Sequence, residues 1–158
     1  MAEVTKAYSE IKVPCIVEHA GLIFEGHDAY PGGLTKPMWY ELKDRFIAET
    51  QSAGRRAMAR AVVAYCDGKS VRTFVGETTG TIADAPHGAT HQFYWDTVFM
   101  PDDPSSRTSG KTYAQIVEDP TLGWQYKMTE LSQSTRAMLK FLEYLRQAGH
   151  SPLWGRNP

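Results

Sequence analysis

Ala57-Met58-Ala59-Arg60-Ala61-Val62-Val63-Ala64-Tyr65-Cys66, followed by Asp67-Gly68 and then Val71-Arg72-Thr73-Phe74-Val75, is the stretch on which the fold turns. Two β-prone runs joined across Asp-Gly predict a β-hairpin, because that dipeptide accepts the positive φ angles a tight hairpin needs. Outward from it, Gly80-Thr81-Ile82-Ala83 extends the sheet and Val98-Phe99-Met100 adds a strand. Upstream, Val13-Pro14-Cys15-Ile16-Val17 reads as a buried strand with Pro14 near its start, and Leu22-Ile23-Phe24 as another. Helical spacing appears from Pro37 through Trp39, Leu42, Phe46 and Ile47. It appears again at Leu131, Met138, Leu142 and Leu145, with Ser132 or Ser134 as cap and Gly149 just past the end. The segment through Glu10 reads as the tail of a helix, with Ala7 and Tyr8 on one side. Turn chemistry marks Gly26 to Gly33 and Pro101 to Gly110 as loops. Strands and helices interleave, which is a mixed α/β domain.

The chain has 158 residues, enough for one domain with a core of its own. The expected division is a single domain over 1–149 and a short tail over 150–158, where Trp154 hints at docking. An apolar fraction of 42% with 22% charged residues excludes disorder and coiled coil. No apolar run is long enough for a membrane helix, and Met1 to Lys6 lacks an apolar signal core, so a cytoplasmic location is expected. Seventeen Lys and Arg balance eighteen Asp and Glu, which argues against a nucleic-acid binder. Such a balance leaves room for one small phosphorylated ligand held by a few cations. The two cysteines, Cys15 and Cys66, form no C-x-x-C pair and read as buried free thiols, with neither a zinc ribbon nor a disulfide framework.

Several clusters could carry chemistry. Ser109-Gly110-Lys111-Thr112 ends like a phosphate loop, but Ser105 stands where the motif's first glycine belongs, so Lys111 is at most a phosphate contact. His87 and His91 have a metal-ligand spacing, but Pro86 and Gly88 break the helix it would need. Glu18-His19 follows an apolar strand, where side chains can face a cleft. Phe93-Tyr94-Trp95-Asp96 sets three aromatic rings beside a carboxylate. This suits a purine, with rings to stack and an acceptor for N–H donors, and it equally suits a core cluster at a sheet edge.

In order and spacing, these pieces resemble the Ham1/inosine triphosphatase family of non-canonical purine nucleoside triphosphate pyrophosphatases, from about Val13 to Leu145. Val17-Glu18-His19-Ala20-Gly21-Leu22 is similar to the strand-end motif E-D-[ST]-G-L, and Pro31-Gly32 with Lys36 to P-G-x-Y and its following lysine. Gly76 to Ile82, then Ala85-Pro86-His87-Gly88, resembles G-x-x-x-G-x-I and P-R-G. Phe93 to Phe99 resembles the purine-facing F-G-[YW]-D-P-x-F, Lys111 to Ile116 resembles K-T-[YF]-A-E-M, and Ser132 to Leu139 stands in place of S-H-R-x-x-A-L. The resemblance implies a mixed sheet flanked by helices. It also implies a nucleotide site of Lys36, Phe93, Trp95, Asp96, Lys111, Ser132, Gln133 and Arg136.

The departures bear on activity. The family's opening strand, its T-x-N-x-x-K loop, its first helix and a metal-binding glutamate have no counterpart, and the aspartate expected on Mg²⁺ or water is His19. The base-reading His-Arg pair is Gln133-Ser134, Gln115 replaces a glutamate, and the lysine expected at Met128 is displaced to the neighbouring Lys127. Mg²⁺ prefers hard oxygen ligands, so no metal residue is assigned and no cofactor is required, although Mg²⁺ can arrive with the nucleotide. The expectation is a catalytically degenerate binder of dITP or ITP that acts as a sensor. The alternative is an active pyrophosphatase with metal on Glu18 or Asp96. A degenerate Ham1 fold is also similar to the Ham1-like subunit of Kongming-type anti-phage systems. That similarity implies a hetero-complex with a Sir2-like, NAD-consuming effector, beside a homodimer formed around the Trp39 helix.

Overall fold

The computed structural model describes residues 2–42, 45–51, 54–89 and 93–147. His91, Gly149, Trp154 and the expected tail lie outside them. The Asp-Gly hairpin is the centre of the sheet: β2 (Arg56–Cys66) and β3 (Val71–Ile82) pair antiparallel from Cys66↔Val71 to Arg56↔Thr81. The Asp67 carboxylate clamps the turn by accepting the Lys69 and Ser70 N–H groups at 2.8 and 2.7 Å. These donors hold its carboxyl below the usual carboxylate range. β1 (Cys15–Phe24) lies along the other edge of β2, and β4 (Phe99–Pro101) along β3, so the four strands run in the order β1-β2-β3-β4 with every pairing antiparallel.

The two short strands expected at Val13–Val17 and Leu22–Phe24 are one continuous strand, in register with β2 from Cys15↔Cys66 to Phe24↔Ala57. Glu18, His19 and Gly21 interrupt the apolar pattern, but ladder pairing carries the backbone through them. Gly80 to Ile82 likewise belongs to β3 itself.

Alternation gives the sheet two unequal faces. On one, Leu22, Phe24, Ala57, Ala59 and Ile82 bury against Trp95, Phe99, Tyr113 and Leu131 to form the main core. Ala61, Val63 and Tyr65 continue it beneath α6 (Gln133–Gln147), through Ala137 and Phe141. Ser132 caps α6, its hydroxyl accepting the Thr135 N–H at 3.2 Å. Of the expected apolar stripe, Leu131 is buried and Met138 and Leu145 pack inward, but Leu142 is 51% exposed, and Phe141 and Tyr144 take inward places beside them. Large aromatic rings spanning to Tyr65 and Phe74 outweigh leucine spacing. The opposite face is covered at one end by α1 (Ala2–Ile11), whose Val4 and Tyr8 pack on Cys15, Val17, Ala64 and Cys66. α2 (Thr35–Leu42) and α3 (Arg45–Gln51) belong to the main core instead: Phe46 and Ile47 bury with Leu22 and Phe24, and Trp39 turns onto Phe46 at 5.1 Å. α4 (Tyr113–Glu118), α5 (Gly123–Tyr126) and a π-helical turn (Lys127–Leu131) lead into α6. Among the described residues no helix is long and apolar enough to cross a membrane.

Candidate functional site

A cavity of ≈ 460 Å³ opens between this second face and the turn leading into α2; its wall includes His19, Gly21, Gly32, Lys36, Arg60 and Val62. Strand alternation places His19 and Gly21 on the same face as Arg60 and Val62, which are their β2 partners. Gly21 is required by closeness rather than by dihedral angle. A Cβ there would collide with the Gly32 carbonyl and stand 2.8 Å from Thr35 Oγ1. That hydroxyl stitches the turn to the strand, accepting the Leu22 N–H at 2.9 Å and donating to the Gly32 carbonyl at 2.6 Å.

The wall is basic. The Lys36 ammonium lies 5.9 Å from the centre of the Tyr94 ring. Arg60 is aligned by Glu77, its cross-strand partner on β3, at 2.7 Å. His19 pairs with Glu3 of α1, so the helix reaches the cavity rim. Glu18 falls on the opposite face, by the same alternation, and does not line the cavity. A wall of imidazole, ammonium and guanidinium does not fit a divalent ion that prefers hard oxygen ligands. Among the described residues no group of three or more His, Cys, Asp and Glu could hold a metal.

The aromatic segment forms a second cluster. Phe93 and Trp95 stack on each other at 5.0 Å and 5°, leaving no slot for a base between them. Trp95 is 3% exposed and Asp96 fully buried. The Asp96 carboxylate accepts from Lys127 at 2.7 Å and from the Phe93 N–H at 3.2 Å. In this arrangement Asp96 and Trp95 are packed in the core beside the half-buried Phe93 and Tyr94. Lys127 is 2% exposed, with its ammonium 4.7 Å from the Tyr113 ring centre. Burial pulls its pKa below the usual lysine range, and Asp96 opposes that pull.

The remaining sequence candidates are also occupied. Gln133 is buried and its side-chain carbonyl accepts from the Tyr113 hydroxyl at 3.1 Å; Ser132 is buried as the cap of α6. Arg136 donates to the Glu77 and Glu130 carbonyls at 2.6 and 3.0 Å. Lys111 pairs with Asp119 at 3.3 Å.

A Ham1 family model matches residues 1–144. The chain belongs to the Ham1 family. Among curated relatives, it is 28% identical to a dITP/XTP pyrophosphatase of Hyperthermus butylicus, over 91% of this chain and 70% of that protein. It is 31% identical to a dITP/XTP pyrophosphatase of Methanopyrus kandleri, over 84% of this chain and 65% of that one. It is 32% identical to inosine triphosphate pyrophosphatase 2 of Trypanosoma cruzi, over 72% of this chain and 57% of that one. The chain thus spans about two thirds of the length of these relatives. The solved Ham1 structures from Coxiella burnetii and Staphylococcus aureus superpose with TM-scores of 0.69 and 0.66 at 19% identity. Each match covers 92% of this chain, with 74% and 73% of the respective Ham1 chain. The α/β fold is the Ham1 fold.

Sequence reasoning reached His19 and Lys36 through the family pattern and missed Arg60, which sits inside an apolar run of β2. The signal available was its parity: a lone charged residue two positions before Val62 shares that residue's face of the strand.

Proposed function

We propose that this Ham1 chain binds a non-canonical purine nucleoside triphosphate of the dITP or ITP type, does not cleave it, and reports its presence to a partner effector as part of an assembly. The observation that supports this most is the cavity wall, where His19, Lys36 and Arg60 are, among the described residues, the charged or ionisable groups that line it, with Glu3 and Glu77 holding His19 and Arg60 from outside the wall. Such a wall attracts a polyphosphate directly, where a pyrophosphatase would offset the same charge with a divalent ion. Lys36 beside Tyr94 connects the wall to the half-buried aromatic surface, which supplies a face for the base. A site that binds without cleaving keeps its signal, as a sensor must, and the effector follows occupancy only through a difference in affinity between its two states.

The names of the curated relatives favour a second reading, an active pyrophosphatase releasing the monophosphate and pyrophosphate. Two measurements on the full chain separate the readings. Calorimetry with dITP in the presence of a chelator is expected to show binding, weakened about 10- to 150-fold by Lys36→Ala or Arg60→Ala, as for the loss of one charged hydrogen bond each. A pyrophosphate-release assay with saturating Mg²⁺ is expected to show no turnover. Turnover near the ordinary enzyme range of about 10 s⁻¹ establishes the pyrophosphatase, and absence of binding with or without Mg²⁺ removes both.

A further inference from the structure

The only two cysteines of the chain, far apart in sequence, face each other across the β1–β2 ladder: Cys15 pairs with Cys66. The Glu25 N–H donates to the Arg56 carbonyl at 2.9 Å, which sets odd-numbered β1 residues as the hydrogen-bonded positions of this ladder. Cys15 and Cys66 are therefore such a pair, with both side chains on one face and Cα atoms about 5.5 Å apart, inside the range a disulfide bridges. Both lie under α1, in one cluster with Val4 and Val17, and the Cys15 thiol donates to the Val4 carbonyl at 3.8 Å. Cys66 is buried, while Cys15 is half-buried and so the more accessible of the two. One sulfur is reachable and the other waits behind it.

We infer that Cys15 and Cys66 form a reversible cross-strand disulfide, made by exchange with a small-molecule disulfide of the glutathione class. The Cys15 thiolate attacks one sulfur of the oxidant, whose S–S bond breaks and releases one thiol. The Cys66 thiol gives its proton to solvent, and its sulfur attacks Sγ of Cys15 and expels the second thiol. Two protein thiols are oxidised and one small disulfide is reduced to two thiols. The bond ties the edge strand, and the helix packed on it, to the central hairpin. Burial and the neighbouring Cys66 sulfur push the Cys15 thiol above its ordinary pKa, so exchange is slow near neutrality.

The test is to incubate the full chain with oxidised glutathione, then alkylate, digest and weigh the peptides. The expected product is a Cys15–Cys66 cross-linked peptide with no alkylated cysteine. The melting temperature should rise by about 5–10 °C and return on addition of dithiothreitol, since the cross-link closes a long loop of the unfolded chain. Cys66→Ala should stop at a glutathione adduct on Cys15 and show no such rise. Two free thiols after prolonged oxidation, a wild-type product that stops at the adduct, a Cys15–Cys15 bond between two chains, or a lowered melting temperature each overturn the inference. None of these outcomes bears on nucleotide binding, which is measured separately.

Discussion

The Lys127–Asp96 pair shows how one ion pair can replace the contacts expected of it. Asp96 reads in sequence as an acceptor for a base, yet both partners are withdrawn from solvent, with the ammonium also near the faces of Phe93 and Tyr113. A buried pair is weak evidence of net stabilisation, but removing one partner strands the other charge in a dry site. Lys127→Met is therefore expected to destabilise the chain by about 3–5 kcal/mol in urea unfolding. The double variant Lys127→Met with Asp96→Leu should recover part of that loss, because no isolated charge remains. A single-variant loss below about 1 kcal/mol would show that solvent already reaches the pair. Phe93 and Tyr94 should move away from their positions in the variant, so nucleotide affinity is expected to fall with stability.

At the scale of elements, what could be read from the sequence depended on local chemistry. The β2–β3 hairpin was legible because its turn is written in two residues, Asp67-Gly68. The continuity of β1 was not, because Glu18-His19-Ala20-Gly21 reads as a break until β2 is there to pair with it. Lys127 was hard to place for another reason: the family pattern puts its lysine at Met128. The π-helical turn over Lys127–Leu131 holds one residue more than an α turn, which accounts for the inward position falling one place earlier. The cavity was half legible. Lys36 and His19 came from the family pattern, whereas Arg60 required knowing which face of β2 stays open. Close packing of α6 on β3 was legible only as a glycine. A Cβ on Gly76 would strike the Gln133 carbonyl and lie 2.5 Å from the Ala137 N, both backbone atoms of α6. Gly76→Ala must push the helix outward and is expected to cost about 1–3 kcal/mol, read from the urea midpoint. Gly33→Ala, where nothing lies within 4 Å, is the control and should stay within about 0.5 kcal/mol. Equal behaviour of the two variants would mean that α6 is not seated against Gly76.

For the whole molecule, the question is what the open edge of the sheet does. Among the described residues no strand lies beyond β1. Because odd-numbered residues of β1 bond to β2, the even-numbered N–H groups point outward. Two of them are already capped: Leu22 by Thr35 Oγ1 at 2.9 Å and Phe24 by the Tyr30 carbonyl at 2.8 Å. Ile16, Glu18 and Ala20 continue that outward row, and the exposed Ile11, Val13 and Ile16 lie at the same end. Edges of this kind template pairing with another chain unless charge or proline blocks them, and Glu18 is the single charge on this one. The proposed assembly is therefore expected to form by strand addition at β1, rather than around Trp39, whose ring is turned inward onto Phe46. Ile16→Pro tests this with little harm to the fold. It deletes an N–H that faces outward, leaves the β2 ladder intact, and sits on an edge strand where proline is tolerated. Light scattering at micromolar concentration should give twice the 17.7 kDa chain mass for the wild type and the single-chain mass for Ile16→Pro, with melting temperatures within about 4 °C of each other. A dimer that survives the substitution moves the interface elsewhere on the molecule. A wild-type chain that stays at 17.7 kDa, with and without dITP, removes self-association from the proposal and leaves any occupancy signal to a hetero-complex alone.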